Sequence, residues 1–355
     1  MTRPLSLLAL LLPALALAAA PPAPPKATKR PSRQYSIEQF MATTRVMGAS
    51  FSPDEKQVLL TSNESGVFNV YAVPAAGGKT RPLTRSKTDS TYAVSYFPKD
   101  GRILYTRDQG GDENNHLYVR ELSGKEKDLT PGKKLKAQFV GWSGDDRAFY
   151  VTTNERDPRF FDLYRYDAKS YARTRVYENT QGFEVGDVSM DGRWVALDKP
   201  NTTADSDIYL YDVETKETKH LSPHKGVASY AVSSFDPAST ALYFLTNDGS
   251  EFMRVSRYVL ATGAREEVEK ADWDVMYTVF SKHGKYRISA INQDARTVIK
   301  LYDAMTNQPV ALPALPEGDV TSIRVSPSEQ RMAFYASSDT SPANLYVHDF
   351  GTGKT

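Results

Sequence analysis

From Phe51 onward the chain repeats one order of apolar and polar positions: an apolar or aromatic residue, usually a serine, a turn of Pro, Asp or Gly, then a short apolar strand. Phe51-Ser52-Pro53-Asp54 shows it most clearly. The others are Tyr96-Phe97-Pro98-Lys99-Asp100-Gly101, Trp142-Ser143-Gly144-Asp145, Val188-Ser189-Met190-Asp191-Gly192, Phe235-Asp236-Pro237, Phe280-Ser281-Lys282-His283-Gly284 and Val325-Ser326-Pro327. Successive anchors lie 45, 46, 46, 47, 45 and 45 residues apart. A period near 45 marks a propeller blade.

A second anchor keeps the same register: Val70-Tyr71, Leu117-Tyr118, Leu163-Tyr164, Ile208-Tyr209, Phe252-Met253, Ile299-Lys300 and Leu345-Tyr346. Alternation around each tyrosine has the period of a strand. A third signal, Pro82-Leu83-Thr84, Asp128-Leu129-Thr130 or His220-Leu221-Ser222, reads as the outermost strand. The pattern therefore predicts an all-β, seven-bladed propeller of four-stranded antiparallel blades over residues 35–355. No blade can bury both faces of its sheet alone, so stability must come from stacking around a closed ring. A β-sandwich is the competing architecture, but sandwiches do not hold two anchors in register over so long a fixed period. Helix signals are scarce. The best is Ser36-Ile37-Glu38-Gln39-Phe40-Met41, where Ser36 and Gln39 form a capping box, and this short helix is expected outside the ring.

Composition narrows the possible partners. Forty-four Lys and Arg against 43 Asp and Glu give a net charge of +1, so no global field draws nucleic acid or anionic lipid. The absence of cysteine removes disulfides, thiolate nucleophiles and Cys-ligated zinc. Residues 1–18 combine Arg3, an apolar run from Leu5 to Leu17 and the small-x-small sequence Ala16-Leu17-Ala18. That is the pattern of a cleaved secretory signal peptide, too short for a bilayer span. It predicts a periplasmic or secreted protein with no membrane attachment after cleavage. Residues 19–34, rich in Pro, Lys and Arg, read as a stiff solvated linker.

Little catalytic chemistry is visible. A serine hydrolase of the α/β type needs Gly-x-Ser-x-Gly, and the nearest sequence, Gly141-Trp142-Ser143-Gly144, falls one residue short inside a blade turn. His116, His220, His224, His283 and His348 are dispersed over different blades, and His220 and His224 read as a solvated turn rather than a metal site. Acidic runs such as Asp145-Asp146 and Glu266-Glu267 are expected to face water in turns. No catalytic residue, metal or cofactor is expected. The informative segments are the loops joining second and third strands, which strand geometry gathers on one end of the ring. Two are unusually rich: Asp108 to Asn115 and Asn154 to Asp162. Asp108, Glu113, Asn114, Arg156, Arg159 and Phe160 are the candidates to meet a charged peptide terminus or a partner domain. The competing reading has Asp and Asn bracing these loops through their own backbone.

Three segments, Tyr35-Ser36-Ile37-Glu38-Gln39-Phe40, Gly48-Ala49-Ser50-Phe51-Ser52-Pro53-Asp54 and Asp108 to Tyr118, resemble secreted bacterial members of the prolyl oligopeptidase family, of the dipeptidyl or acylaminoacyl peptidase type. The resemblance covers residues 35–355. It implies a propeller preceding an α/β-hydrolase domain that carries a Ser, Asp and His triad, the ring limiting access to short or unstructured peptides. Peptide substrates and that following domain are then the expected partners. The chain runs through Leu345-Tyr346-Val347-His348-Asp349 into Gly351-Thr352-Gly353-Lys354-Thr355, the turn that elsewhere precedes the Leu-Thr strand. Blade 7 is thus expected to lack its outer strand. The sequence is read as a fragment whose natural continuation supplies that strand and then the hydrolase. The expected function is the substrate-gating, non-catalytic portion of an exported serine peptidase, inactive alone. The alternative is a stand-alone periplasmic propeller that binds a protein partner, similar to the propeller of the Tol envelope system.

Overall fold

A computed structural model describes residues 33–312 and 318–355. The expected signal peptide and residues 19–32 of the linker lie outside the described residues. The chain divides into two units, one ending at Thr43 and one running from Thr44 to Thr355. In the first, helix Ile37–Met41 carries the expected capping box: Ser36 Oγ accepts from Gln39 N and Gln39 Oε1 accepts from Ser36 N. None of its residues is buried.

The second unit is seven antiparallel sheets spanning 46–82, 91–128, 137–177, 184–220, 230–269, 274–310 and 319–349, each an up-and-down meander. Six have four strands and the seventh has three. All seven primary anchors are the last residue of a first strand, from Phe51 in Val46–Phe51 to Val325 in Asp319–Val325. The anchor serine explains itself locally. Ser52 Oγ accepts from Gln57 N at 3.0 Å and donates to Asp54 Oδ1, which in turn accepts from Lys56 N. Ser143 with Asp145 and Ser189 with Asp191 repeat this clamp in blades 3 and 4. The bonds from Ser52 and Ser143 hold the Asp54 and Asp145 carboxyls below their ordinary range.

Two sequence expectations shift by a few residues. The Leu-Thr signal lies just past the outermost strand, which in the first blade is Arg81–Pro82 and in the second Glu126–Asp128. Leu83 turns into the core, and Thr84 Oγ1 accepts from Val70 N at 2.8 Å and donates to Asn69 Oδ1 at 2.9 Å. Thr130 and Ser222 accept from Leu117 N and Ile208 N in the same way. The signal is therefore a clamp on the third strand. In blade 5, Phe252-Met253 precedes the third strand, Arg254–Val259, and the pair in the Val70-Tyr71 register is Val255-Ser256. Serine stands where five other blades have the tyrosine that marks the strand.

Apolar burial follows the seams between blades rather than the blades themselves. Leu59, Val70 and Leu83 of blade 1 meet Tyr96, Ile103 and Tyr105 of blade 2 in one buried cluster. Leu104, Leu117 and Phe97 meet Phe149, Val151 and Tyr166 at the next seam. Each such side chain contributes about 1.5–3 kcal/mol on leaving water. Among the described residues the seam closing blade 7 onto blade 1 is the leanest, with Phe51, Val58 and Ala333 fully packed and Leu345 and Val347 among those flanking. Hydrogen bonds reinforce it: Tyr335 Oη donates to Gly48 O at 2.5 Å and Arg331 Nη1 donates to Glu55 O at 3.0 Å.

The seam between blades 5 and 6 buries charge. Arg287 is 2% exposed and its Nη1 lies 2.7 Å from Glu269 Oε2, which also accepts from Ser289 Oγ; Tyr302 Oη donates to Glu269 Oε1. Burial alone would raise the Glu269 carboxyl, yet these donors outweigh it and hold the group below its ordinary range. Breaking such a pair strands one buried charge, whereas removing both partners does not. Arg287→Met should therefore lower the unfolding free energy by about 3–5 kcal/mol. Arg287→Met combined with Glu269→Leu should lose less, as read from denaturant melts.

Candidate functional site

The meander places first-to-second strand turns on one end of the ring, and second-to-third loops with the blade-to-blade connections on the other. On the loop end, the two candidate loops are braced from within. Asp108 Oδ2 accepts from Glu113 N at 3.2 Å, while Asp112 accepts from Gln109 N, Asn114 N and Asn114 Nδ2. Asp89, on the connection from blade 1, accepts from Gly110 N at 3.0 Å. Gly110 and Gly111 take left-handed φ values of 64° and 77°, which makes so tight a loop possible.

The blade 3 loop separates its two arginines. Arg156 forms a fork with the fully buried Asp162, at 2.6 and 2.8 Å, and donates to Asn179 O at 2.6 Å. Its guanidinium is committed to the wall. Arg159 is 74% exposed, stands 2.7 Å from Asp157 and lies over the Phe160 ring at 5.0 Å. Its hydrogen bonds hold the Asp157 carboxyl down at about 2. Arg159 and Phe160 thus form the outward cationic and aromatic edge of this loop, and among the described residues no hydrogen bond joins it to the blade 2 loop.

His220 and His224 converge in a way the sequence did not suggest. His220 Nε2 lies 2.7 Å from Asp207 Oδ1, which also accepts from Ser222 Oγ at 2.8 Å. The His224 ring is 8% exposed, stacks on Tyr230 and lies 3.6 Å from Asp207. His224 is therefore packed, not solvated. Among the described residues no group of three or more His, Asp or Glu is arranged to hold a metal ion.

The turn end is organised by one backbone feature. At the fourth residue past the anchor, six blades adopt left-handed φ: Glu55, Asp146, Gly192, Ser239, Gly284 and Glu329. Glycine tolerates this geometry, and the other residues bear strain there. Three of the non-glycine side chains spend it on the preceding blade. Glu55 accepts from Ser328 N and Oγ of blade 7, Ser239 Oγ accepts from Asp191 N of blade 4, and Glu329 Oε1 accepts from His283 N of blade 6. The fourth, Asp146, meets Lys282 Nζ at 2.6 Å. The expectation that Asp145-Asp146 faces water fails for Asp146, whose side chain is 16% exposed. These turns surround an axial cavity of about 1050 Å³ lined by Tyr96, Phe139, Trp142, Met190, Lys282 and Arg324 among others.

All seven first strands slip register part-way along, so each carries a bulge; in six blades the slip comes just before the last two pairs, and in blade 6 two residues earlier, between Val275 and Tyr277. Gly186 marks the one in blade 4, where a Cβ would come within 2.6 Å of Val232. Side chains there bridge to the next blade. In blade 1, Ser50 Oγ accepts from Tyr96 N and Thr61 Oγ1 from Ala93 N. In blade 4 the same two positions are Asp187, accepting from Phe235 N at 2.8 Å, and Asp198, accepting from Val232 N at 2.7 Å. Burial pushes both carboxyls up to about 6, against the pull of those amides. A folded value above the unfolded one, about 3.9, means that these groups favour folding below pH 4 and that their contribution is lost as pH rises through 6. Asp187→Ser with Asp198→Thr installs the blade 1 chemistry. Relative to wild type, this variant should gain roughly 1–3 kcal/mol per site between pH 4 and 7, measured by denaturant melts across that range.

Residues 82–355 match the family model described as the prolyl oligopeptidase N-terminal beta-propeller domain. Dipeptidyl aminopeptidase BIII of Pseudoxanthomonas mexicana is 32% identical over 218 residues, covering 58% of this chain and 31% of that protein. A solved prolyl endopeptidase structure superposes with a TM-score of 0.68 at 18% identity, over 88% of this chain and 49% of that one. Prolyl oligopeptidase B from Galerina marginata gives 0.65 at 14% identity, over 88% and 50%. These structures share the fold. The chain spans 31%, 60% and 31% of the curated relatives it matches, less than two thirds of each.

Proposed function

The chain belongs to the prolyl oligopeptidase family through its N-terminal β-propeller domain, and from that premise we propose that it forms the non-catalytic, access-limiting part of an exported serine peptidase acting on short peptides. The observation that carries this reading is the family match over 82–355 in a sequence without Gly-x-Ser-x-Gly. A ring with an axial cavity suits the control of passage. Support for export comes from the leader-like residues 1–18. In this reading the loop end, with Arg159 and Phe160 outermost and Asp108, Glu113, Asn114 and Arg156 shaping it, faces substrate or the adjoining hydrolase domain. Its exposed guanidinium suits a peptide carboxylate or an acidic surface.

The purified chain should release no product from chromogenic dipeptidyl or acyl-amino-acid substrates. Turnover that survives purification and resists serine-directed inhibitors would contradict the proposal. In a longer protein containing the hydrolase domain, Arg159→Ala should raise KM for peptides while leaving the melting temperature unchanged. Arg156→Ala, which leaves the buried Asp162 with only Asn179 N and the more distant Arg175, should lower that temperature; steady-state kinetics and thermal melts distinguish the two.

A further inference from the structure

Asp146 breaks the rule its turn position otherwise follows. Glu55, Ser239 and Glu329 each use the left-handed backbone to reach the blade before their own. The same rule would send Asp146 of blade 3 to blade 2. That seam is instead bridged by Lys99 Nζ, which donates to Asp145 O at 2.6 Å. The Asp146 carboxylate goes to Lys282, in the corresponding turn of blade 6, with Nζ to Oδ2 at 2.6 Å. Blades 3 and 6 are not neighbours: blades 4 and 5 separate them on one side and blades 7, 1 and 2 on the other. A contact between them must cross the axis of the ring, and both residues line the axial cavity.

The contact is poorly justified as a stabilising bond. Asp146 Oδ1 is buried without a hydrogen-bond partner, and the backbone beneath it is left-handed at φ 57°. A half-buried lysine and aspartate at a water-accessible mouth gain little net energy from pairing, and salt weakens what they gain. What the arrangement does achieve is geometric: it lays a bar across the opening.

We propose that Asp146 and Lys282 form an electrostatic latch across the turn-end opening of the axial channel, and that this opening is a port whose width depends on whether the latch is closed. Five of the seven seams between the surrounding turns are tied by hydrogen bonds of Glu55, Lys99, Gly144, Asp191 and His283, so the turns of blades 3 and 6 are each held to a neighbour while the bar can part. Lys282 can swing away on its flexible stem without disturbing any strand. That peptides are what pass through rests on the function proposed above; the latch itself does not.

The lack of native cysteine makes a direct test simple. Val94, on the first strand of blade 2, lines the same cavity. In a Val94→Cys background, the labelling rate by a maleimide carrying a short polyethylene glycol chain reads access to the channel. Any entry from the loop end is common to every variant, so differences report the turn end. Lys282→Met and Asp146→Asn should each speed labelling by about fivefold, the factor an ion pair of this class can hold back. Lys282→Arg should retain the slow rate. Molar sodium chloride should speed the background protein and leave Lys282→Met unchanged. A cooperative melt of each variant confirms folding. Equal rates in the background protein and in both latch-removed variants would overturn the latch, whatever the fate of the peptidase reading. Peptidase inactivity in a longer protein would overturn that reading and leave the latch standing.

Discussion

Every sheet in this ring has two apolar faces and no means of covering either by itself, so the fold rests on burial between neighbouring blades. Seven buried clusters sit at seven seams, and the last of them, where Phe51 and Val58 meet Ala333, decides whether the ring closes. That seam is also the one with the least fully packed apolar surface. Directional bonds from Tyr335, Arg331 and the strained Glu55 add what apolar area does not supply. Closure of a meander by side chains alone leaves each blade's register free to be set by its own anchor and turn.

Seam chemistry varies around the ring, and the variation has consequences. Blade 1 bridges to blade 2 with two neutral hydroxyls, while blade 4 bridges to blade 5 with two carboxyls at the same positions. The hydroxyls are indifferent to pH, whereas the carboxyls tie one seam to protonation near 6. Between blades 5 and 6 a buried arginine and glutamate fix the outer strand to its neighbour. Each is a different solution to one problem, a backbone or charged group that must find a partner between two sheets.

The architecture was legible because a blade is a local unit repeated at a fixed period. Phe51-Ser52-Pro53-Asp54 carries its own reason, a serine and an aspartate that close the turn on their own backbone, and the same reason recurs at Ser143 and Ser189. What escaped the sequence needs two blades to exist. Asp187 and Asp198 read as ordinary strand acids until blade 5 supplies the amides they accept from. Asp146 reads as a solvated turn acid because nothing local says that its backbone is left-handed or that a lysine lies across the ring. The one available hint was positional: the same turn position holds glycine at Gly192 and Gly284, so a non-glycine there implied a use for its side chain. Val255-Ser256 escaped for a plainer reason, since serine gives no strand signal.

Ring closure is the claim from which the rest follows, and thiol cross-linking at its leanest seam tests it most directly. In the cysteine-free chain, Glu55→Cys with Ser328→Cys should be joined rapidly by a short bis-maleimide in the folded protein. The product should be an internally linked monomer by intact mass, formed at a rate independent of protein concentration and lost in denaturant. Failure to link, or linkage that rises with concentration and yields dimers, would show that blade 7 does not rest on blade 1.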